Sequence, residues 1–364
     1  MLPYLPLKGV RVIEFCWIWA GPFLGQFLAD LGAEVIKIEW HKRFDPYRTR
    51  GVERMRKKVP GDVWIDLSTS FHSLNRNKVG LTVNLKHPEG IEIIKRLAGK
   101  SDLLIENWTG GTLDGLGLSN AVLHEANPKL VIVSLSAFGA RSRLDGMRSY
   151  GLVTSALAGT EAEIKDGAEM AGSPTFVISD PNAALFGLLA GIAGLRQARD
   201  AGKGMAVTVS QLEAMMSIVA GGPKIDESDI VQGIHATRDG KHVAVTLRRS
   251  LHDLPQPLEA WCAARDAATV LSEVRAMGGY AEAMVELADT PEAEPFSDVE
   301  VRIATEHLVT GYEEIVAAPW RVNGKRPPLR KTAPRLGEGN GYVLRQILGA
   351  SEEEIAAWQR EGVV

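Results

Sequence analysis

The sequence of 364 residues contains only two cysteines, Cys16 and Cys262, which lie far apart. Without a CxxC pair they exclude a disulfide framework and a cysteine zinc site, and we expect no bound metal. Long apolar runs are missing too, since no segment has about 18 uninterrupted apolar residues. The stretch MLPYLPLKGVRVIEF lacks the charged start and apolar core of a signal peptide. We therefore expect a cytoplasmic protein that does not associate with a membrane.

A strong excess of charge is also absent. The formal net charge is -4, with 24% charged and 45% hydrophobic residues, which is typical of globular proteins. This mild acidity creates no field that would attract nucleic acid, so we expect no nucleic-acid partner. The sequence has neither a GxGxxG motif after its first strand nor a GxxxxGK[ST] motif. A dinucleotide site and a P-loop are therefore not supported.

What the sequence does contain is an alternation of apolar strands with amphipathic helices. The predicted strands are GVRVIEF, AEVIKIE, DLLIEN, LVIVSLSAFG and, after residue 200, MAVTVS. Helices of about ten residues separate the first four, which predicts an α/β fold with a parallel, doubly wound sheet. We assign residues 1–220 and 320–364 to this large Rossmann-like domain.

A smaller α+β domain is predicted for residues 221–319. It opens with the polar connector GGPKIDESDIVQG, and two strand-like segments around RDGK and the helical run PQPLEAWCAARDAATVLSEVRAM follow. In the C-terminal part of the large domain, Ser351 and Glu354 form a capping-box pattern that predicts the start of the last helix.

Asp180 stands before Pro181 at the head of a long helix of small and apolar residues. This position predicts a helix N-cap. A carboxylate near a helix N-terminus is also held ionised by the backbone dipoles, and a covalent nucleophile must be ionised. Tyr150 likewise fits either a core aromatic or a site residue, and so does Trp19 at the first βα turn. The residues alone leave these alternatives open.

Ordered blocks spread through nearly the whole chain carry a resemblance to a known family. The blocks are LKGVRVIEF, AGPFLGQFLADLGAEVIKIE, LNRNKVGLTVNLKHPEG, LLIENWTGGTLDGLGLS, NPKLVIVSLSAFG, SDPNAALFGLLAGIAGL, GKGMAVTVSQLE and LGEGNGYVLRQILGASEEEI. The sequence resembles the family III CoA-transferases (CaiB/BaiF family), the group that contains formyl-CoA transferase, carnitine CoA-transferase and alpha-methylacyl-CoA racemase. Their characteristic Asp at the head of the small-residue helix falls on Asp180.

The resemblance implies transfer of CoA from an acyl-CoA to a free carboxylic acid. Asp180 would attack the thioester to form a mixed anhydride, and the released thiolate would convert it to an aspartyl-CoA thioester. Coenzyme A, as acyl-CoA substrate, and the acid are the expected ligands. The resemblance also assigns substrate-contacting or CoA-contacting positions to Trp19, Val83, Lys86, Asn107, Trp108, Arg148, Tyr150 and Gln211.

Two departures from the family bear on the alternative functions. The racemase branch has a catalytic His where this chain has Tyr150, which argues against a racemase or isomerase with Asp180 as one of two bases. The predicted small domain is shorter than in the family, and only Gly221-Gly222 is a weak candidate for the lid. An accessory CoA-binding subunit of a heteromeric transferase is the third alternative. The resemblance implies a homodimer of interlocked rings, and a heterodimer with a homologous subunit remains open.

Overall fold

The computed structural model describes residues 5–140, 142–163, 165–166, 169–170, 177–219, 229–249, 257–285 and 301–364. By their internal contacts the residues form two units, Met1–Ala220 with Arg302–Val364, and Gly221–Val301. The sequence places residues 302–319 in the small domain, whereas their hairpin contacts a helix of the first unit. The lid candidate Gly221-Gly222 lies outside the described residues.

Thirteen strands occur in the described ranges: β1 Arg11–Phe15, β2 Glu34–Glu39, β3 Lys78–Thr82, β4 Leu103–Glu106, β5 Val131–Ser136, β6 Lys165–Asp166, β7 Glu169–Met170, β8 Ala206–Ser210, β9 Ile230–Ala236, β10 His242–Arg248, β11 Tyr280–Ala283, β12 Arg302–His307 and β13 Gly311–Val316. The helices described there are α1 Ala20–Asp30, α2 Thr69–Asn75, α3 Pro88–Ala98, α4 Thr112–Gly115, α5 Asn120–Ala126, α6 Gly151–Leu157, α7 Thr160–Glu163, α8 Ser179–Ala201, α9 Gln211–Val219, α10 Leu258–Ala263, α11 Ala267–Ala276 and α12 Glu352–Arg360. Short 3-10 segments cover Pro46–Arg48, Glu53–Lys57 and Val63–Asp66, and Tyr342–Ile347 is π-helical. None of the helices in these ranges combines the length and apolar character needed to cross a membrane.

Six parallel strands form the central sheet in the order β3-β2-β1-β4-β5-β8. Apolar residues on both faces of the strands are buried in two clusters, as expected for a parallel sheet covered by helices. The predicted α/β class and parallel sheet are therefore confirmed. Successive strands run outward from β1 in both directions, so a crevice opens beyond the carboxyl ends of β1 and β4.

Helix α8 packs closely against the sheet because glycines face it. A Cβ atom at Gly194 would lie 2.6 Å from Val131 Cγ1, and one at Gly187 would lie 2.9 Å from Leu24 Cδ2. These contacts are too short for any side chain. The small residues after the first turn of α8 therefore bring the helix onto the sheet and onto α1.

The second unit contains the antiparallel sheet β11-β10-β9, with α10 and α11 packed on it. Its core includes Val243, Val245, Trp261 and Val270. The single helical run predicted from sequence forms two helices, separated by the turn at residues 264–266. In the first unit, the hairpin β12–β13 packs on α2.

A buried network of charged side chains lies beneath the carboxyl ends of β1 and β2. Lys37 Nζ lies 3.1 Å from Glu14 Oε1 and 3.0 Å from Asp45 Oδ2, and all three side chains are inaccessible to solvent. The neighbouring amine of Lys78 is 2.8 Å from the Glu14 carboxylate. Burial lowers the pKa of Lys78 to about 8, although Glu14 opposes the shift.

Arg48 continues this network towards the C-terminal segment. Its guanidinium donates to both carboxylate oxygens of Glu39, at 2.8 and 2.7 Å, and to Asp66 Oδ1 at 2.6 Å. A further bond of 3.1 Å reaches the carbonyl of Pro334. Because such a fork binds a carboxylate in one orientation, Arg48 fixes the 3-10 segment on which it lies.

Candidate active site

Asp180 is the second residue of α8, and its carboxylate contacts two other helices. Asp180 Oδ1 accepts a hydrogen bond of 3.0 Å from Gln211 Nε2 at the start of α9. The backbone N–H of Ala20, the first residue of α1, faces this carboxylate and lowers its pKa. The N-cap position of α8 is Ile178, which makes no side-chain capping bond. The prediction that Asp180 caps its helix is therefore wrong.

Burial raises the pKa of Asp180 above its usual value because it disfavours the charged carboxylate, while the hydrogen bonds from Gln211 and Ala20 act in the opposite direction. The group is only moderately solvated, so little hydration has to be removed before it attacks an electrophile. This environment suits a nucleophile better than a solvated carboxylate on the surface.

Gly151, the first residue of α6, packs directly against this carboxylate. A Cβ atom at Gly151 would be 2.1 Å from Asp180 Oδ2 and 2.7 Å from Ser179 Oγ. The Ser179 hydroxyl donates to the Gly151 carbonyl at 2.8 Å and links the starts of the two helices. A side chain here would push the Asp180 carboxylate away, so Gly151 allows the carboxylate to lie where it does.

An open cleft of about 450 Å³ lies next to these groups, lined by Ile18, Pro46, Tyr47, Thr49, Arg50, Glu53 and Tyr150. Tyr150 directly precedes Gly151 and is 68% exposed, so it is not a core aromatic. Burial raises the pKa of Tyr47, Arg50 lowers it, and the negative charge of Asp180 raises it further. The phenol therefore lies within electrostatic range of the Asp180 carboxylate, and the cleft adjoins the proposed nucleophile.

The loop between β1 and α1 forms one wall of the cleft in a strained conformation. Ile18 has a φ of 71°, which a β-branched residue rarely adopts. Its N–H donates to Asp45 Oδ1 at 3.0 Å. Next to it, Asn107 accepts from the Trp17 N–H at 2.9 Å and donates to the Trp17 carbonyl at 2.8 Å. The two polar side chains hold the strained loop that leads to the N–H of Ala20.

A second, smaller cavity of about 50 Å³ lies at the carboxyl ends of β4 and β5. Its lining includes Asn107, Trp108 and Ser136. The Ser136 hydroxyl and the Trp108 indole N–H are buried and have no hydrogen-bond partner in the described part of the chain. The Trp108 ring contacts those of Phe15 and Trp17, with centroid distances of 5.2 and 5.8 Å. The cavity thus combines an aromatic floor with unused polar groups.

A model of a known protein family matches this sequence. The family model for CoA-transferase family III matches residues 7–247, more than half of the chain. The chain belongs to CoA-transferase family III.

Curated relatives carry transferase names. Succinyl-CoA--D-citramalate CoA-transferase of Chloroflexus aurantiacus is 34% identical over 60% of this chain and 52% of the relative. Human succinyl-CoA:glutarate CoA-transferase is 33% identical over 59% of this chain and 47% of the relative. The chain spans about half the length of these two proteins. The beta subunit of succinyl-CoA--L-malate CoA-transferase from Chloroflexus aurantiacus is 27% identical over 96% of both chains.

Solved structures share the fold. A crystal structure of a CAIB/BAIF family protein from Brucella suis has a TM-score of 0.78, with 22% identity over 94% of this chain and 99% of that chain. A hypothetical protein from Mycobacterium tuberculosis gives a TM-score of 0.76, with 23% identity over 94% of this chain and 99% of that chain. These similarities extend over both units described above.

The structure brings several of the family-assigned residues together. Asp180 and Gln211 are hydrogen-bonded, Tyr150 lines the adjacent cleft, and Asn107 with Trp108 lines the smaller cavity. The remaining residues do not line either cavity. Val83 is buried in the core beside α3, Lys86 and Arg148 are exposed, and Trp19 occupies the position before the first residue of α1.

Sequence reasoning missed Tyr47, Arg50 and Gly151. The signal for the first two is the stretch DPYRTR, in which Asp45 caps a 3-10 segment by accepting from the Tyr47 N–H at 3.0 Å. A capped turn in the loop that follows a central strand places side chains at the crevice. The signal for Gly151 is its position next to Tyr150.

His72, His307 and Glu313 form a separate cluster whose ligand-type atoms lie within 4.8 Å of one another. His72 Nδ1 faces Glu313 at 2.7 Å and His72 Nε2 faces the Asp66 carbonyl at 3.1 Å. Both ring nitrogens of His307 also have backbone partners, and the two ring centroids lie 4.0 Å apart with the planes tilted by 31°. All four ring nitrogens of the pair are therefore already in hydrogen bonds. The cluster joins α2 to the hairpin β12–β13.

Asp180→Asn is expected to stabilise the protein at pH 7. The raised pKa means that the folded chain holds the Asp180 proton more tightly than the unfolded chain. The free energy of unfolding therefore falls as pH rises from about 3.8 through the folded-state pKa, so the ionised Asp180 lowers it at pH 7. Asparagine removes the charge and retains an acceptor for Gln211. We expect a gain of about 1 kcal/mol in urea unfolding, decreasing as the solution is acidified.

The matched control is Asp200→Asn on the exposed end of the same helix, where the ion pair with Arg196 is solvated and worth little. A loss of stability at pH 7 for Asp180→Asn, greater than that of the control, would show that the carboxylate is a structural anchor.

Proposed function

We propose that this protein is a CoA-transferase that moves CoA from an acyl-CoA thioester to a free carboxylic acid, with Asp180 as nucleophile. The observation that carries the proposal is the partly buried Asp180 carboxylate beside an open cleft, held by the hydrogen bond from Gln211. Family membership and the transferase names of the relatives support the same activity.

The reaction consists of carboxylate and thiolate exchanges. One oxygen of Asp180 attacks the thioester carbonyl of the donor, the C–S bond breaks, and a mixed anhydride and the CoA thiolate are formed. The thiolate attacks Asp180 Cγ, which releases the donor acid and leaves an aspartyl-CoA thioester. The acceptor carboxylate then reverses both steps. Each step conserves the energy of the acyl bond, provided that water is kept out.

Gln211 has a defined role in this scheme. Every attack on Asp180 Cγ places negative charge on the oxygen that remains bound to that carbon. Gln211 Nε2 already lies 3.0 Å from Asp180 Oδ1, within the range required of an oxyanion-hole donor. The Ala20 N–H faces the same carboxylate and also favours its charged form. Gln211 is in place before the charge develops.

The acids that fit the proposal best carry two carboxyl groups. The names of the relatives mention succinyl-CoA together with D-citramalate, L-malate or glutarate, and each of these acids is a dicarboxylate. The CoA moiety is assigned to the crevice with Asn107 and Trp108. In this assignment Lys86 and Arg148 supply exposed positive charge for its phosphates, and Val83 and Trp19 support its walls.

A second candidate function is a subunit that works only beside a homologous partner. The full-length match to a relative named as a beta subunit favours it, and a relative named as the alpha subunit of that enzyme also matches. A racemase would need a second base opposite Asp180, and the family position for that base is Tyr150. The subunit alternative therefore ranks above the racemase.

An uncovered apolar surface supports the proposed dimer of interlocked rings. Leu185, Leu189 and Ile192 recur at helical spacing on α8 and are 53%, 66% and 40% exposed. Leu152 and Leu157 on the contacting helix α6 are exposed as well, by 39% and 55%. A row of exposed apolar side chains of this kind marks an interaction site. We assign it to a second copy, and we place the protein in the cytoplasm, where its two unpaired cysteines would stay reduced.

The first prediction from this proposal is a covalent adduct. Incubation of the purified chain with succinyl-CoA should add one CoA to the peptide that contains Asp180, and intact-protein and peptide mass spectrometry would detect it. Asp180→Ala should abolish the adduct and CoA transfer while the protein stays folded. An adduct that forms only after addition of a homologous chain would support the subunit alternative. Wild-type turnover by Asp180→Ala would overturn the nucleophile assignment.

Gly151→Ala should lower kcat by about 100-fold or more, because the added methyl group displaces the Asp180 carboxylate from its reacting position. The measurement is steady-state CoA transfer, with circular dichroism to establish the fold. Gly115→Ala is the matched control, since this helical glycine has no atom within 4 Å of the added Cβ. Equal activity of the two variants would contradict the proposed role of Gly151.

Leu189→Glu should prevent assembly of the dimer while the chain folds, because the substitution places a charge on the apolar α8 surface that the second copy would cover. Light scattering coupled to size-exclusion chromatography measures the mass directly. Arg196→Glu, farther along the same helix, serves as control and should leave the mass unchanged. A monomeric wild-type chain would refute the dimer.

A further inference from the structure

The cleft beside Asp180 contains one cationic side chain, Arg50, among its described lining residues. Arg50 is exposed, and its Nη1 donates to the Tyr47 hydroxyl at 2.6 Å. The guanidinium carbon lies 4.9 Å from the centre of the Tyr47 ring. No carboxylate among the described residues pairs with Arg50. Because a guanidinium has five N–H donors, most of the fork is available to a ligand.

Arg48 in the same segment shows the opposite arrangement. Its guanidinium is buried and its donors are used by Glu39, Asp66 and the Pro334 carbonyl. Arg48 and Arg50, which are separated by one residue, therefore have different roles. The buried one fixes the backbone, and the exposed one presents an open fork to the cleft.

Tyr47 connects Arg50 with the reacting carboxylate. Its hydroxyl accepts from Arg50, which directs the phenolic proton elsewhere in the cleft. The charges of Arg50 and Asp180 both act on this phenol. The Tyr47 backbone is fixed, since its N–H donates to Asp45 at 3.0 Å. Arg50 is therefore held at a set place in the cleft that Tyr150 also lines, and Tyr150 directly precedes Gly151, which packs against the Asp180 carboxylate.

We propose that Arg50, held by Tyr47, binds the second carboxylate of a dicarboxylic substrate while the first carboxylate reacts at Asp180. The inference rests on the proposed transferase function and adds the residue that selects the acid. A planar guanidinium matches a carboxylate with two parallel hydrogen bonds, which lysine cannot reproduce. An acid with a single carboxyl group leaves this fork unoccupied and loses that binding energy.

Glu53 refines the proposal because its carboxylate also lines the cleft. Its negative charge repels a bound dicarboxylate and weakens the attraction of Arg50 at this site. Replacement of Glu53 by glutamine should therefore strengthen dicarboxylate binding, whereas replacement of Arg50 should weaken it. If charge selects the acid, the Arg50 and Glu53 variants should change dicarboxylate binding in opposite directions. A general disturbance of the segment would weaken binding in both.

The test compares acceptor acids with one and two carboxyl groups. With succinyl-CoA as donor, Arg50→Met should raise the KM for glutarate by about 10- to 100-fold, the effect of losing hydrogen bonds to a charged group. The KM for pentanoate, which has the same number of carbons and a single carboxylate, should stay the same. Arg50→Lys should give an intermediate KM for glutarate, and Glu53→Gln should lower it. Arg54→Met, at an exposed arginine outside the cleft lining, is the matched control and should have no effect.

A binding measurement separates this inference from the transferase proposal. Glutarate should raise the unfolding temperature of the wild-type protein and of Asp180→Asn but not that of Arg50→Met, whether or not transfer occurs. Loss of transfer with retained selective binding would overturn the function and leave the role of Arg50 intact. An equal KM change for glutarate and pentanoate in Arg50→Met, or no change for either acid, would overturn the role of Arg50.

Discussion

The ion pairs of the buried Lys37 amine with Glu14 and Asp45 are the interactions on which the position of the site residues depends. Burial alone would lower the pKa of Lys37, but the carboxylates of Asp45 and Glu14 raise it and keep the amine charged. The amine also donates to the Cys16 carbonyl at 2.7 Å. Since buried charges are tolerated only when all of them are paired, the set cannot be loosened at one member without a large cost. It joins the ends of β1 and β2 to the loops beyond them.

Both walls of the cleft derive their position from Asp45. One carboxylate oxygen contacts Lys37, and the other accepts the N–H groups of Ile18 and Tyr47. The strained φ of Ile18 is sustained because Asp45 and Asn107 hold the backbone on both sides. This loop leads to the Ala20 N–H, which faces Asp180, the proposed nucleophile. The buried ion pairs are therefore connected through backbone hydrogen bonds to the loop beside Asp180.

The sheet was largely predictable, whereas one of its strands and the cleft were not. Apolar runs such as AEVIKIE indicate strands because both of their faces are buried. Strand β3 contains the buried Lys78, which hides it from such a pattern, since its pairing with Glu14 is a long-range contact. Asp180 was recognised through its family, but its sequence neighbours indicated a cap. Its actual partners, Gln211 and Ala20, come from other helices, and local patterns do not report such contacts.

In the short segment from Asp45 to Arg50, some residues contribute to the stability of the fold and others to the selectivity for the acid. Asp45 and Arg48 point into the buried network, while Tyr47 and Arg50 line the cleft. A change at an inward position leaves a buried charge unpaired and costs several kcal/mol. A change at an outward position alters an exposed contact and costs the fold little. Because the inward pair fixes the backbone, the outward pair can differ between relatives without loss of the fold. Acid selectivity can therefore change while the position of Asp180 stays the same.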